Sequence, residues 1–163
     1  MKNFRLSIYI LFSSALVNSL LMADEQSSQR DLKNKIYNFS SKNIDENMLT
    51  KWKLTGLFLE KYDDNYTFIK NPKLKVFDSN LVTNISSEIA IDPTGEMNEV
   101  YLKSNVFINR HDVKNTDIVK LYTSYAIFYL PEDLVETDRD VTIITSDSTT
   151  TGSGLSANLK EGL

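Results

Sequence analysis

The chain has 163 residues, no cysteine, a formal charge of −4 and a pI near 5.0. That length suits one domain plus an appendage. The missing cysteines exclude a disulfide framework, a thiolate metal site and a cysteine nucleophile, and the acidic balance gives no general attraction for nucleic acid.

Lys2 and Arg5 precede residues 6–23, which carry no charge before Asp24. As a helix this run of about 18 residues is roughly 27 Å long, against a hydrocarbon core of about 30 Å. The basic flank would stay cytoplasmic and place the body outside. A cleaved signal peptide with Ala23 at the cut is the rival reading. Leu21 is a poor small residue for that site, and the run exceeds the usual signal core, so the length favours a transmembrane anchor. Both readings export the body. Residues 24–50 read as a polar tether, within which Leu32, Ile36 and Phe39 have the spacing of a short surface helix.

From residue 51 onward the pattern is period two, as a sheet requires. Trp52, Leu54, Gly56 and Phe58 share one face of a first strand, and Asp63-Asp64-Asn65 is a turn. A short strand over 66–70 is separated by Pro72 from Leu74-Lys75-Val76-Phe77. Leu81, Thr83, Ile85, Ser87, Ile89 and Ile91 line one face of a long strand, closed by the turn Asp92-Pro93-Thr94-Gly95. Val100, Leu102, Ser104, Val106 and Ile108 repeat the pattern, followed by Val119, Leu121, Thr123, Tyr125, Ile127 and Tyr129. Pro131-Glu132-Asp133 turns the chain into Val141, Ile143 and Thr145, and Leu155, Ala157 and Leu159 finish it. Such short connections fit antiparallel hairpins and are too short for parallel crossovers. Several strands are apolar on both faces, as at Val76 with Phe77 and Val106 with Phe107. That fits a lipid groove, stacking on another protein, or a thick core.

Chemistry is sparse. His111 is the only histidine and sits among polar residues, so it reads as a solvated loop residue. Ser153 between glycines lacks the strand-turn-helix setting and histidine partner of a nucleophile elbow. Asp138 and Asp140 flank Arg139 as a turn with an ion pair. No catalytic residue, metal site or cofactor is expected. Lys51, Lys53, Lys61, Lys70, Lys73 and Lys75 crowd one third of the domain and read first as a solvated face.

Across 52–159 the chain resembles the periplasmic domain of the LptC family of lipopolysaccharide-export bridge proteins. The resemblance rests on Trp52-Lys53-Leu54, on Phe68 with Pro72, Leu74, Phe77 and Asp78, and on Tyr101-Leu102-Lys103-Ser104-Asn105-Val106. It continues with Leu121-Tyr122-Thr123-Ser124-Tyr125-Ala126, Thr137-Asp138 with Val141, and Gly152-Ser153-Gly154-Leu155. One departure is Ser104, where the family usually has glycine before Asn-Val. The resemblance implies an all-β, open antiparallel β-jellyroll over 51–163 behind the tether (24–50) and the N-terminal anchor or signal segment (1–23). It also implies a single-pass inner-membrane location with the main domain in the periplasm. Lipopolysaccharide would lie between the sheets, with Phe68, Leu74, Val76, Ile85, Ile89, Leu102, Ile127 and Ile143 as acyl-chain contacts. The partners implied are the inner-membrane ABC transporter, at an N-terminal edge carrying Trp52, Leu54 and Gly56, and the next periplasmic bridge protein. The latter would dock on a C-terminal edge carrying Gly152, Gly154, Leu155, Ala157 and Leu159. A soluble bridge, a structural envelope adaptor with a filled core and, last, an exported enzyme are the alternatives.

Overall fold

The computed structural model describes residues 30–159, apart from 79, 113 and 115–117. The described chain is all-β: one antiparallel sheet of ten strands. These are β1 (Leu32–Ile44), β2 (Thr50–Tyr62), β3 (Thr67–Lys70), β4 (Lys73–Asp78), β5 (Leu81–Ser86), β6 (Ile89–Asp92), β7 (Glu99–Asp112), β8 (Ile118–Tyr129), β9 (Leu134–Ile144) and β10 (Thr149–Asn158). β3 and β4 both pair with β2, and β6 and β5 both pair with β7. Each of these two pairs is therefore one long strand broken in the middle. Counted so, eight long strands lie side by side in chain order, each joined to the next by a hairpin.

The breaks fall in one line across the sheet. Asn38 lies opposite Leu57, then come Asn71-Pro72, Ser87-Glu88 and the bulge Ser104-Asn105. Register shifts at Ser124 to Ala126 in β8 and at Gly154 in β10 complete it. Asn38, Asn71, Ser104, Asn105 and Gly154 have φ of 48°, 49°, 61°, 52° and 79°. Backbone hydrogen bonds stitch the line, Asn71 N–H to Glu88 O at 2.8 Å and Glu88 N–H to Ser104 O at 2.9 Å. The sheet creases here into two leaves. Leaf A holds β4, β5 and the halves of the other strands on their side of the crease; leaf B holds β3, β6 and the halves on the other side. Buried residues from both leaves, among them Leu54, Ile85, Ile108 and Leu121 of leaf A and Ile69, Leu102, Phe128 and Val135 of leaf B, form one cluster.

The crease corrects the expected strand faces. Where a break changes the count by one residue, every side chain beyond it moves to the other face. In β5 and β6 the inner face runs Thr83 and Ile85, then Ala90 and Asp92, so Ile89 and Ile91 turn outward. In β8 it runs Leu121 and Thr123, then Ala126 and Phe128, so Tyr125, Ile127 and Tyr129 are outside. Phe58 leaves the face of Trp52 and Leu54 and stacks outside on Phe68, with ring centroids 5.9 Å apart. β7 keeps its face, because its bulge inserts two residues between Leu102 and Val106.

The tether and its helix are corrected over Leu32–Ile44, which form β1 along the full length of β2. An edge strand is held by backbone hydrogen bonds, so it needs little apolar patterning. Only Phe39 of β1 is even half-buried. Its ring lies over Gly56, where an added Cβ would sit 2.6 Å from Phe39 Cε1. The expected turns at Asp63 to Asn65, at Pro93 to Gly95 and at Pro131 to Asp133 are present. Buried Asp92 organises the second: its carboxylate accepts from the backbone N–H of Thr94, Gly95 and Met97. The anchor segment, residues 1–23, lies outside the described residues.

Candidate functional site: the interior of the crease and the two sheet edges

Of the eight proposed lining residues, five face the interior and three do not. Leu74, Ile85 and Ile143 lie in one ladder row, running Leu54, Leu74, Ile85, Ile108, Leu121, Ile143. Val76 is one step along beside Trp52, and Leu102 faces them from leaf B. Phe68, Ile89 and Ile127 are on the outer face of leaf B. Phe68 belongs there to a ladder with Phe58 and Tyr37, over which the Lys35 ammonium sits 4.3 Å from the Phe58 ring centroid. Lys35 also reaches Glu60 at 2.5 Å, and this hydrogen bond holds the Glu60 carboxyl below its ordinary range.

The interior is apolar and tightly filled. The gap between the leaves, bounded by Leu54, Ile69, Leu74, Ile85, Leu102 and Phe128, is only ≈ 30 Å³, about the share of one water. A larger pocket of ≈ 220 Å³ opens at the lip opposite the crease, between Trp52, Val76, Thr83 and Arg110 of leaf A and Phe128, Asp133 and Leu159 of leaf B. That is below the ~300–1,000 Å³ of a drug-sized ligand site. A lipid with several acyl chains therefore requires the leaves to part. Neither Phe128 nor Arg110 was singled out from sequence for this lip. The place of Arg110 in the alternation Val106, Ile108, Arg110 was the available signal, and it is buried at 7% exposure.

Among the described residues, β1 pairs only with β2 and β10 only with β9. Both outer strands thus present an unpaired backbone edge, the geometry that accepts an added strand. Trp52, Leu54 and Gly56 are not on an edge: β2 lies between β1 and β4, and Leu54 is core. The C-terminal set is on one. Gly152 and Gly154 are exposed in β10, Leu155 is half-buried, and Ala157 and, just past the strand, Leu159 are buried against β9 and the core. Gly154 sits at the β10 bulge with φ +79°, a conformation that suits glycine.

The family model for lipopolysaccharide-assembly, LptC-related proteins matches residues 6–163. The chain belongs to that family. No curated protein matches the sequence. Membership gives this LptC-related chain a part in lipopolysaccharide transport within the cell envelope, among export-system partners, in a family of transport proteins rather than enzymes. The family departure noted above falls on the crease itself, since Ser104 holds φ 61° where glycine is free to adopt that angle.

The remaining candidates for chemistry take structural places. His111 lies in β7, opposite Val82 and Ile118, and not in a loop. Ser153 is within β10. Arg139 pairs with Asp138 at 3.2 Å inside β9, so the expected ion pair is present and the expected turn is not. Among the described residues no three His, Cys, Asp or Glu side chains converge as metal ligands, and no helix is long and apolar enough to cross a membrane.

Proposed function

We propose that this LptC-related chain is a membrane-anchored bridge. It accepts lipopolysaccharide from the inner-membrane ABC transporter and passes it to the next periplasmic bridge protein. The two leaves act as an open β-jellyroll that parts along the lip to admit acyl chains. The single observation that carries this reading is the pairing of a shared apolar interior with two unpaired sheet edges on one creased sheet. Apolar lining stabilises acyl chains at about 25 cal/mol per Å² buried, and the two edges give the cargo a donor side and an acceptor side. The β1 edge takes the transporter and the β10 edge the next bridge. Transport energy comes from the partner, because the chain has no phosphate-cradling glycine loop. Residues 6–23 supply the anchor.

Photo-crosslinkers at Leu74, Val76 and Ile143 test the interior. Lipopolysaccharide should be captured there and not at Phe68, Ile89 and Ile127, which face away. The filled gap of ≈ 30 Å³ favours a second reading, a structural adaptor without lipid cargo. Absent capture at both sets of positions is the outcome that reading expects, whereas equal capture at both would overturn the assignment of faces.

A further inference from the structure

The two sheet edges differ in charge. β1 carries Lys33, Lys35 and Lys42 and no carboxylate, whereas β10 carries no charge at all. Behind β10 stands an acidic strand. Glu136, Asp138 and Asp140 alternate on the outer face of β9, since Val135, Thr137 and Val141 take the buried one. The one cation of β9 is Arg139, paired with Asp138. Glu136 accepts a hydrogen bond from the Ser156 hydroxyl at 3.2 Å, and among the described residues neither Glu136 nor Asp140 forms an ion pair.

A trough of ≈ 680 Å³ opens on this face, lined by Tyr125 and Ile127 of β8, Glu136 and Asp138 of β9 and Leu155 of β10. Burial and the Asp138 carboxylate push the Tyr125 hydroxyl above its ordinary range. Only small side chains separate the acids from the open edge. Ser153 lies opposite Asp140 and Ser156 opposite Glu136, with Gly154 between them at the bulge. A strand added to β10 lies two strand spacings, roughly 10 Å, from β9. Lysine and arginine stems are long enough to cross a serine and bring their charge to a carboxylate there, and the Tyr125 ring offers a cation its face. An acidic strand would find the same backbone edge but would set like charges against one another.

We propose that the β10 edge selects a partner strand bearing a lysine or arginine on its outer face over leaf B, seated against Glu136 and Asp138 beside Tyr125. This rests on the bridge reading above and adds which strand the edge admits. Binding of the full-length chain to the purified next bridge protein is measured at low and at high salt. Glu136→Gln with Asp138→Asn should weaken it about tenfold at low salt, with unchanged melting, and Glu136→Lys with Asp138→Lys should weaken it further. In high salt the neutral pair and the unaltered chain should bind alike, because such charges are then screened. Glu46→Gln with Asp63→Asn makes the same charge change in exposed turns at the other end of the sheet and should change nothing. Replacing the lysine or arginine of the partner's docking strand by glutamate should restore binding to the lysine pair. Equal binding by the unaltered chain and the neutral pair at low salt overturns the inference. So does equal weakening by the remote pair, which makes the effect one of net charge, or self-association lost in Gly152→Arg, which gives the edge to a second copy. Equal binding at low salt that Gly152→Arg abolishes leaves the bridge function standing, and no binding by the unaltered chain removes both.

Discussion

β1 is the longest exposed element of the fold, and one aromatic ring seats it. A Cβ on Gly56 would meet Phe39 Cε1 at 2.6 Å, Ile69 Cγ2 at 3.1 Å and Lys70 O at 3.1 Å. The first contact is impossible as it stands, and the other two need the neighbours to yield by a few tenths of an ångström. Gly56→Ala therefore forces the Phe39 ring off the core. Phe39→Ala should cost about 2 kcal/mol, roughly half the value for a fully buried phenylalanine, because Phe39 is only half-buried. Gly56→Ala should cost about 1 kcal/mol: the same lost burial, offset in part by the ~0.5–1 kcal/mol that alanine gains over glycine in a strand. In the Phe39→Ala background the main clash is gone, so adding Gly56→Ala should be neutral or stabilising, a coupling of about 1 kcal/mol or more. Urea unfolding of the four proteins measures the cycle. Hydrogen exchange of β1 amides, expected to speed up in both single variants while the β7 and β8 core is unchanged, localises it. Additive costs would refute the idea that Phe39 seats on Gly56.

Three further outcomes are expected. Ser104→Gly relieves a left-handed residue, a gain of about 1–2 kcal/mol offset by glycine's entropy of ~0.5–1 kcal/mol. It should raise the urea midpoint slightly, whereas Ser104→Ala, which keeps the strain, should not. The Lys35 hydrogen bond lowers the Glu60 pKa. Its contribution is thus present above the unfolded-state pKa and lost as pH falls through the folded one, so Glu60→Gln should flatten stability against pH only on the acid side of the usual glutamate range. At the β10 edge, a Cβ added at Gly152 meets no atom within 4 Å, so Gly152→Arg should block pull-down of the next bridge protein with unchanged melting. Gly154→Arg should block it too, but with a loss of about 1–2 kcal/mol from its positive φ. Normal binding by both variants would move the handover edge elsewhere.

Strand existence and turns were legible because alternation and Asp, Asn, Pro and Gly clusters have local causes. Asp63-Asp64-Asn65 and Pro131-Glu132-Asp133 turn where their chemistry says they should. The face of each half-strand was not legible. A crease changes the residue count by one or by two, and the sequence at Ser87-Glu88 or Ser124 does not say which. Phe68, Ile89 and Ile127 were placed inside for that reason. The small polar residues at Asn71, Ser87, Ser104, Ser124 and Gly154 were the visible trace of the break. β1 read as a tether because pairing with β2 uses its backbone, and Phe39 alone among its side chains reports the contact.

The crease leaves the domain through both of its sides, at Asn38 in β1 and at Gly154 in β10, each with a left-handed backbone angle. Any strand that joins either side along its whole length must bend at the same register. A straight strand can bond one leaf or the other, but not both. The bend is thus a matching rule for neighbours, enforced by main-chain geometry and independent of side-chain identity. Units that obey it line up their creases into one continuous trough, however little their sequences have in common.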